Sequence, residues 1–324
     1  MDDEIGDVMA SFQVARVWDN RATMANTWDS GCPMIIPPQP YEANPMAEIR
    51  IDDIKLRYAS IAEARQAPGL RIVLGAYADP GMWREACKGI CHVKKLAYTP
   101  VVTASAGRAD SEFGLDGADS ELFEWTAQSS APVMVWNDER PRSTWVEQLY
   151  LAERLAPAPS LIPELPADRV AMFGLANELC GENGFGWMGR LLLVDMGMEP
   201  LVKEGPEYNF WRRFGQKYGL SDAAIAAAPG RMAEILTLLD RQLAGEQAQG
   251  HRFFFGNRLS ALDIYWATFL GLIEPLPEEL CPMASFFRPL YTNHHPVIRA
   301  ALSARLIEHR DFIYREFLEL PVVF

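Results

Sequence analysis

Cys87 and Cys91 stand four residues apart in the proline-free run Trp83 to Lys94, a spacing that puts both thiols on one helix face where redox or metal chemistry is conceivable. Free cysteine is also a small buried hydrophobe, and that plainer reading carries more weight here. The five cysteines are an odd number spread over a long chain, which is no disulfide framework and fits a reducing cytoplasm. The five histidines show no H-E-x-x-H or similar spacing, so no metal site is expected. Ser143 and Thr144 open a helical run ending at Leu155. Hydroxyls, free backbone N–H groups and the positive end of the helix dipole suit a carboxylate there, although any serine or threonine also makes an ordinary N-cap. Ser260-Ala261-Leu262-Asp263 has the spacing of a capping box, in which serine and the acidic residue satisfy each other's backbone donors.

The elements that must position these groups fall into two kinds. Leu70 to Leu74 is a short apolar run ended by Gly75, and Tyr98 to Val102 and Pro132 to Trp136 are further strand-like runs. Between the first two, Ala86, Cys87, Ile90, Cys91 and Lys94 keep a helical spacing, which makes a β-α-β unit with a parallel crossover. From Ser143 to Leu155 the residues Val146, Leu149, Tyr150 and Glu153 keep a helical period. After Pro157 strand signals almost vanish: Asp168 to Met198 reads as helix interrupted at Gly181 to Gly186, and Met232, Ile235, Leu236, Leu239 and Leu243 mark one buried helix face. Prolines 33, 37, 38, 40 and 45 block regular structure near the start. The resulting division is an irregular extension over 1–69, a small α/β domain over 70–157 and an all-helical domain over 168–324.

The whole chain has 324 residues, 49% of them hydrophobic, and a formal net charge of −13. That charge repels a phosphate backbone and an anionic membrane surface, so neither nucleic acid nor membrane is an expected partner. Met1-Asp2-Asp3-Glu4 lacks the positive start of a secretory signal, and no apolar run reaches the length of a membrane span. A soluble, cytoplasmic protein is expected.

Three local patterns, in this order and spacing, resemble the glutathione S-transferase superfamily: the β-α-β unit Leu70 to Val102; Ser130-Ala131-Pro132-Val133 followed by Ser143-Thr144 and Tyr150-Leu151; and Phe255 to Trp266 around the capping box. The resemblance implies an α/β thioredoxin-like domain followed by an all-α helical bundle, with glutathione as cosubstrate and a homodimer as the assembly. It implies that Pro132 is a cis-proline, that the backbone of Ala131 beside it pairs with the cysteinyl part of glutathione, and that Ser143 or Thr144 takes the γ-glutamyl end. The family's sulfur activator lies in the loop after the first strand, where Tyr77 carries the hydroxyl. A small hydrophobic acceptor would then lie against the helical half, with Phe173 and Trp187 as apolar wall, beside Met172, Met188, Phe286 and Phe287, and with Arg190 and Asn177 to orient a polar group. Aromatic and Met side chains at helical spacing are more often core. Ser129-Ser130-Ala131 and Arg142-Ser143 depart from the family's Gly-Lys and acidic residue at these points. Three functions are therefore open: attack of glutathione thiolate on a hydrophobic electrophile by conjugation or thioether cleavage, noncatalytic ligand binding or protein interaction on the same fold, and thiol–disulfide reduction through Cys87 or Cys91.

Overall fold

The computed structural model describes residues 56–74, 80–102, 120–283 and 287–324. The chain divides at Ile49 and Arg50 into two units, and all described residues lie in the second. The extension expected to be irregular through residue 69 holds a helix, α1 (Ile61–Gln66), opened by a Ser60/Glu63 capping box. Ala59 bridges to Val101, so this segment is part of the sheet domain.

Strand β1 (Leu70–Val73) is central. It pairs in parallel with β2 (Thr99–Val101) across helix α2 (Met82–Val93), and antiparallel with β3 (Val133–Trp136), giving the order β2-β1-β3. Met134 continues the sheet outward by exchanging both backbone hydrogen bonds with Arg142, at 2.9 and 2.8 Å. Alternation along the strands sends Leu70, Ile72 and Met134 to one face, where they meet Cys87, Cys91 and Leu151. Val73, Val101, Val133 and Val135 fill the other face against α1 and α3 (Ser120–Thr126). Helices on both faces explain why all four residues of β1 are buried. This is the thioredoxin-like arrangement.

Helix α4 (Trp145–Leu155) lies on the same face of the sheet as α2. Its buried stripe is Gln148, Leu149, Leu151 and Ala152, one step away from the stripe expected through Tyr150, which is 54% exposed. The helical half follows: α5 (Pro166–Cys180), α6 (Phe185–Met198), α7 (Pro206–Gln216), α8 (Asp222–Ala248), α9 (Ala261–Leu270), α10 (Phe287–Tyr291), α11 (Pro296–Ala301) and α12 (Ala304–Phe317). The interruption read at Gly181 to Gly186 is the α5–α6 turn. The expected face Met232 to Leu243 of α8 is buried throughout.

Every residue of α9 is buried, as an all-round apolar helix requires. It packs against α2, α5 and α12, so one core runs without a break from the thioredoxin-like half into the helical half. The connection between the halves is held by Lys94, a buried cation at the end of α2. Its ammonium donates to the carbonyls of Ala156 (2.7 Å) and Pro159 (2.8 Å) and pairs with Glu153 at 2.7 Å. A buried charge is tolerated only with such partners.

At the start of α9, Asp263 is fully buried. Its carboxylate accepts from the Ser260 N–H (2.8 Å), the Ser260 hydroxyl (2.7 Å) and the Phe254 N–H (3.1 Å), and lies 2.8 Å from His309 Nε2 on α12. One acid thus closes the helix start, fixes the preceding loop and ties α9 to α12.

Candidate functional site

The segments expected to hold glutathione converge at the N-terminus of α4. The Ala131–Pro132 peptide is cis and opens β3. Thr144 is the N-cap of α4, with extended backbone, and Ser143 precedes it. Gln148, a buried residue in the first turns of α4, joins the two segments: its side-chain amide donates to the Pro132 carbonyl at 2.9 Å and to the Arg142 carbonyl at 3.4 Å. The cis-proline turn and the helix start therefore keep a fixed spacing.

The helix start already carries an anion. Thr144 and Glu147 form a capping box: the Thr144 hydroxyl donates to Glu147 Oε2 at 3.0 Å, and the Glu147 N–H donates back to that hydroxyl at 3.3 Å. Arg140 pairs with the other carboxylate oxygen at 2.7 Å. Partial burial pushes the Glu147 carboxyl up, but the bonds from Arg140 and Thr144 outweigh it and hold the group below its ordinary range. Next to it, Glu139 pairs with Arg142 (2.9 Å) and Arg154 (2.5 Å). The Ser143 side chain, half-buried, makes no hydrogen bond among the described residues.

Tyr77 lies outside the described residues, as does Phe286. The described residues resume at Pro80, and α2 docks on the helical half: the Trp83 indole donates to the Cys180 carbonyl at 3.0 Å and its ring meets Phe269 edge-on at 5.0 Å. A side chain at Gly186 would collide with both rings, which is why the start of α6 has none there.

The residues expected as acceptor wall separate into two groups. Phe173 stacks on Tyr150 at 5.6 Å and lies 6.3 Å from Trp145, against α4. Trp187 and Arg190 join a second set: Trp187 meets Tyr218 at 4.9 Å and donates to its carbonyl, while Arg190 bonds the Tyr291 hydroxyl at 2.9 Å and lies over the Phe214 ring. Asn177 is exposed, and Met172 and Met188 are core residues.

Cys87 and Cys91 face the sheet within the core, 2% and 0% exposed. Burial raises both thiols, Cys91 to about 12, so neither forms a thiolate at neutral pH. The thiol–disulfide alternative that rested on them loses its nucleophile. Among the described residues, no group of three or more His, Cys, Asp or Glu side chains could hold a metal ion. No helix among them is long and apolar enough to cross a membrane.

Residues 222–302 match the family model for the glutathione S-transferase C-terminal domain, on top of a thioredoxin-like half in the expected order. The helical half is similar over these residues to the glutathione S-transferase C-terminal domain. No curated protein matches it. Among solved structures, it is similar to a Tau class glutathione S-transferase from the mango Mangifera indica, 18% identical over 76% of this chain and 98% of that one, with a TM-score of 0.42. Rice GST1 in complex with glutathione is 19% identical over 79% and 94%, with a TM-score of 0.44. The beta-etherase LigF from Sphingobium sp. strain SYK-6 is 16% identical over 72% and 98%, with a TM-score of 0.47. These scores are too low to carry a reaction across to this chain.

Proposed function

We propose that this chain binds glutathione as a cosubstrate and turns its thiolate on a small hydrophobic electrophile. The supporting observation is the junction made by Gln148, which holds the Ala131–Pro132 turn against the start of α4. In this reading the backbone of Ala131, beside Pro132, pairs with the cysteinyl unit, and the γ-glutamyl end reaches Ser143 and Thr144. Tyr77 donates to the sulfur. Phe173 offers apolar wall beside that site, and Trp187 with Arg190 forms a second wall. The thiol proton leaves to solvent, sulfur bonds to the electrophilic carbon, and the leaving group departs with its bonding pair; in the thioether-cleaving variant the departing group is the substrate's own sulfur substituent, released as a thiolate.

A second reading, noncatalytic binding on the same fold, is favoured by the resident Glu147 carboxylate at the helix start. Calorimetric titration with glutathione, followed by assay against a chlorodinitrobenzene electrophile, separates the two. Saturable heat with turnover is expected. Saturable heat without turnover would leave the binding-only reading, and no glutathione binding at all would overturn the enzyme reading and leave a fold that binds another ligand or a protein.

The same reading includes a homodimer. Tyr150, Leu165 and Val170 are 54%, 65% and 74% exposed on and beside α4 and α5, an apolar face that a second copy would cover. Sedimentation at micromolar protein should show a dimer that Val170→Asp weakens. A monomer for the unaltered chain would contradict it.

A further inference from the structure

The first turn of α2 is fixed from two sides. Arg84 reaches back toward the sheet, where its Nη1 donates at 3.2 Å to the carbonyl of Leu74, the residue after β1. Trp83 reaches the other way, into the helical half. Its indole N–H donates at 3.0 Å to the carbonyl of Cys180, the last residue of α5. A carbonyl at a helix end has no partner within its own helix, so the indole supplies one that α5 lacks. The same ring meets Phe269 of the fully buried α9 edge-on at 5.0 Å. Helix α6 leaves room for this contact: a methyl group at Gly186 would stand 2.5 Å from the Phe269 ring and 2.9 Å from that of Trp83. The N-cap of α2 is Gly81, which brings no side chain to close the helix start as Thr144 does for α4 and Ser260 for α9. Its place is set by packing and by bonds to its neighbours.

We propose that Trp83 is a positioning residue for the glutathione sulfur. The inference rests on the reading above, in which the sulfur lies by Tyr77 and the start of α2, and adds that this helix start is held in place from the helical half through the Trp83 indole. Trp83 touches no reacting atom in that reading and acts through α2. Stabilisation of a thiolate by N–H groups and a helix end weakens steeply as the bonds lengthen and fades within one turn. A small shift of α2 therefore alters the charge on sulfur more than the grip on the rest of the peptide, which is held at Ala131, Ser143 and Thr144.

The test is Trp83→Phe, which keeps an aromatic ring against Phe269 and removes the N–H. The pKa of glutathione bound at saturation, read from its ultraviolet thiolate absorbance against pH, should rise by about half to one unit. Thiolate at a pH below both values then falls roughly three- to tenfold, and turnover with it, while glutathione affinity stays the same. Gly186→Ala, which keeps the indole but pushes it off Phe269, should move the pKa the same way; should that variant not fold, Trp83→Phe alone decides. Leu239→Ala, a truncation in the buried face of α8, should lower the melting temperature at least as much and leave the bound thiol where it is. A bound thiol unmoved in either folded variant overturns the role of Trp83 and leaves the glutathione reading standing. An equal rise in Leu239→Ala also overturns it, because any loosening of the fold would then suffice. Glutathione held by the unaltered protein with its thiol pKa at the free value leaves nothing for Trp83 to position and favours noncatalytic binding. No binding of glutathione by the unaltered protein overturns the role together with the reading on which it rests.

Discussion

Replacing Asp263 with alanine is expected to destabilise the protein by about 3–5 kcal/mol, a fall in melting temperature of roughly 10 °C. Loss of a helix cap alone costs about 1 kcal/mol. Here the same carboxylate also satisfies the Phe254 N–H and faces His309 in a site with no solvent, and each buried donor left without a partner adds about 1–3 kcal/mol. The change falls on α9, which touches α2, α5 and α12, so the loss is felt in both halves. Asn at this position should recover part of the loss, because its amide oxygen still accepts. Urea unfolding in which Asp263→Ala lies within 1 kcal/mol of the unaltered protein would mean that the network contributes little and that packing alone holds α9.

Tyr77→Phe is the second large effect, and it falls on rate. If the hydroxyl donates to the glutathione sulfur, its removal takes about 1.5–3 kcal/mol from the thiolate and raises the bound thiol by roughly one to two pKa units. Conjugation near neutral pH should slow about ten- to a hundredfold and recover in part as pH rises, because more thiolate then forms unaided. Glutathione affinity should change little. Full activity in Tyr77→Phe would exclude the hydroxyl and point to backbone N–H groups at the start of α2 as the thiolate donors.

Much of this fold was legible because its signals are local. The buried run of β1, the spacing of Ala86 to Lys94 and the Ser260-to-Asp263 box each describe a few neighbouring residues, and each lies where the pattern puts it. Even Lys94, a cation on an apolar stripe, was placed correctly on its face, but its partners Ala156, Pro159 and Glu153 are some 60 residues away and no short pattern announces them. Two further capping boxes carry the same local signal: Ser60-Ile61-Ala62-Glu63, which starts α1 before residue 70, and Thr144-Trp145-Val146-Glu147, which puts the resident acid at the candidate site. Helix α3 begins beside a polar stretch and spans only Ser120–Thr126, too short to display a period. Gln148 was hidden by the choice of stripe. A helical face drawn through Tyr150 leaves it out, whereas Gln148, Leu151, Ala152 and Leu155 form an i, i+3, i+4, i+7 series with one polar member. A polar residue on an otherwise apolar face needs a partner, and that demand was the available signal for the bond to Pro132.

The most direct measurement is a crystal structure of the protein soaked to saturation with glutathione. The cysteinyl unit should pair with the backbone N–H and C=O of Ala131, the γ-glutamyl carboxylate should lie beside Ser143 and Thr144 with Glu147 close by, and the sulfur should point toward Tyr77 and the start of α2. Glutathione bound elsewhere, or an Ala131-to-Thr144 region unchanged at saturation, would contradict the proposed site.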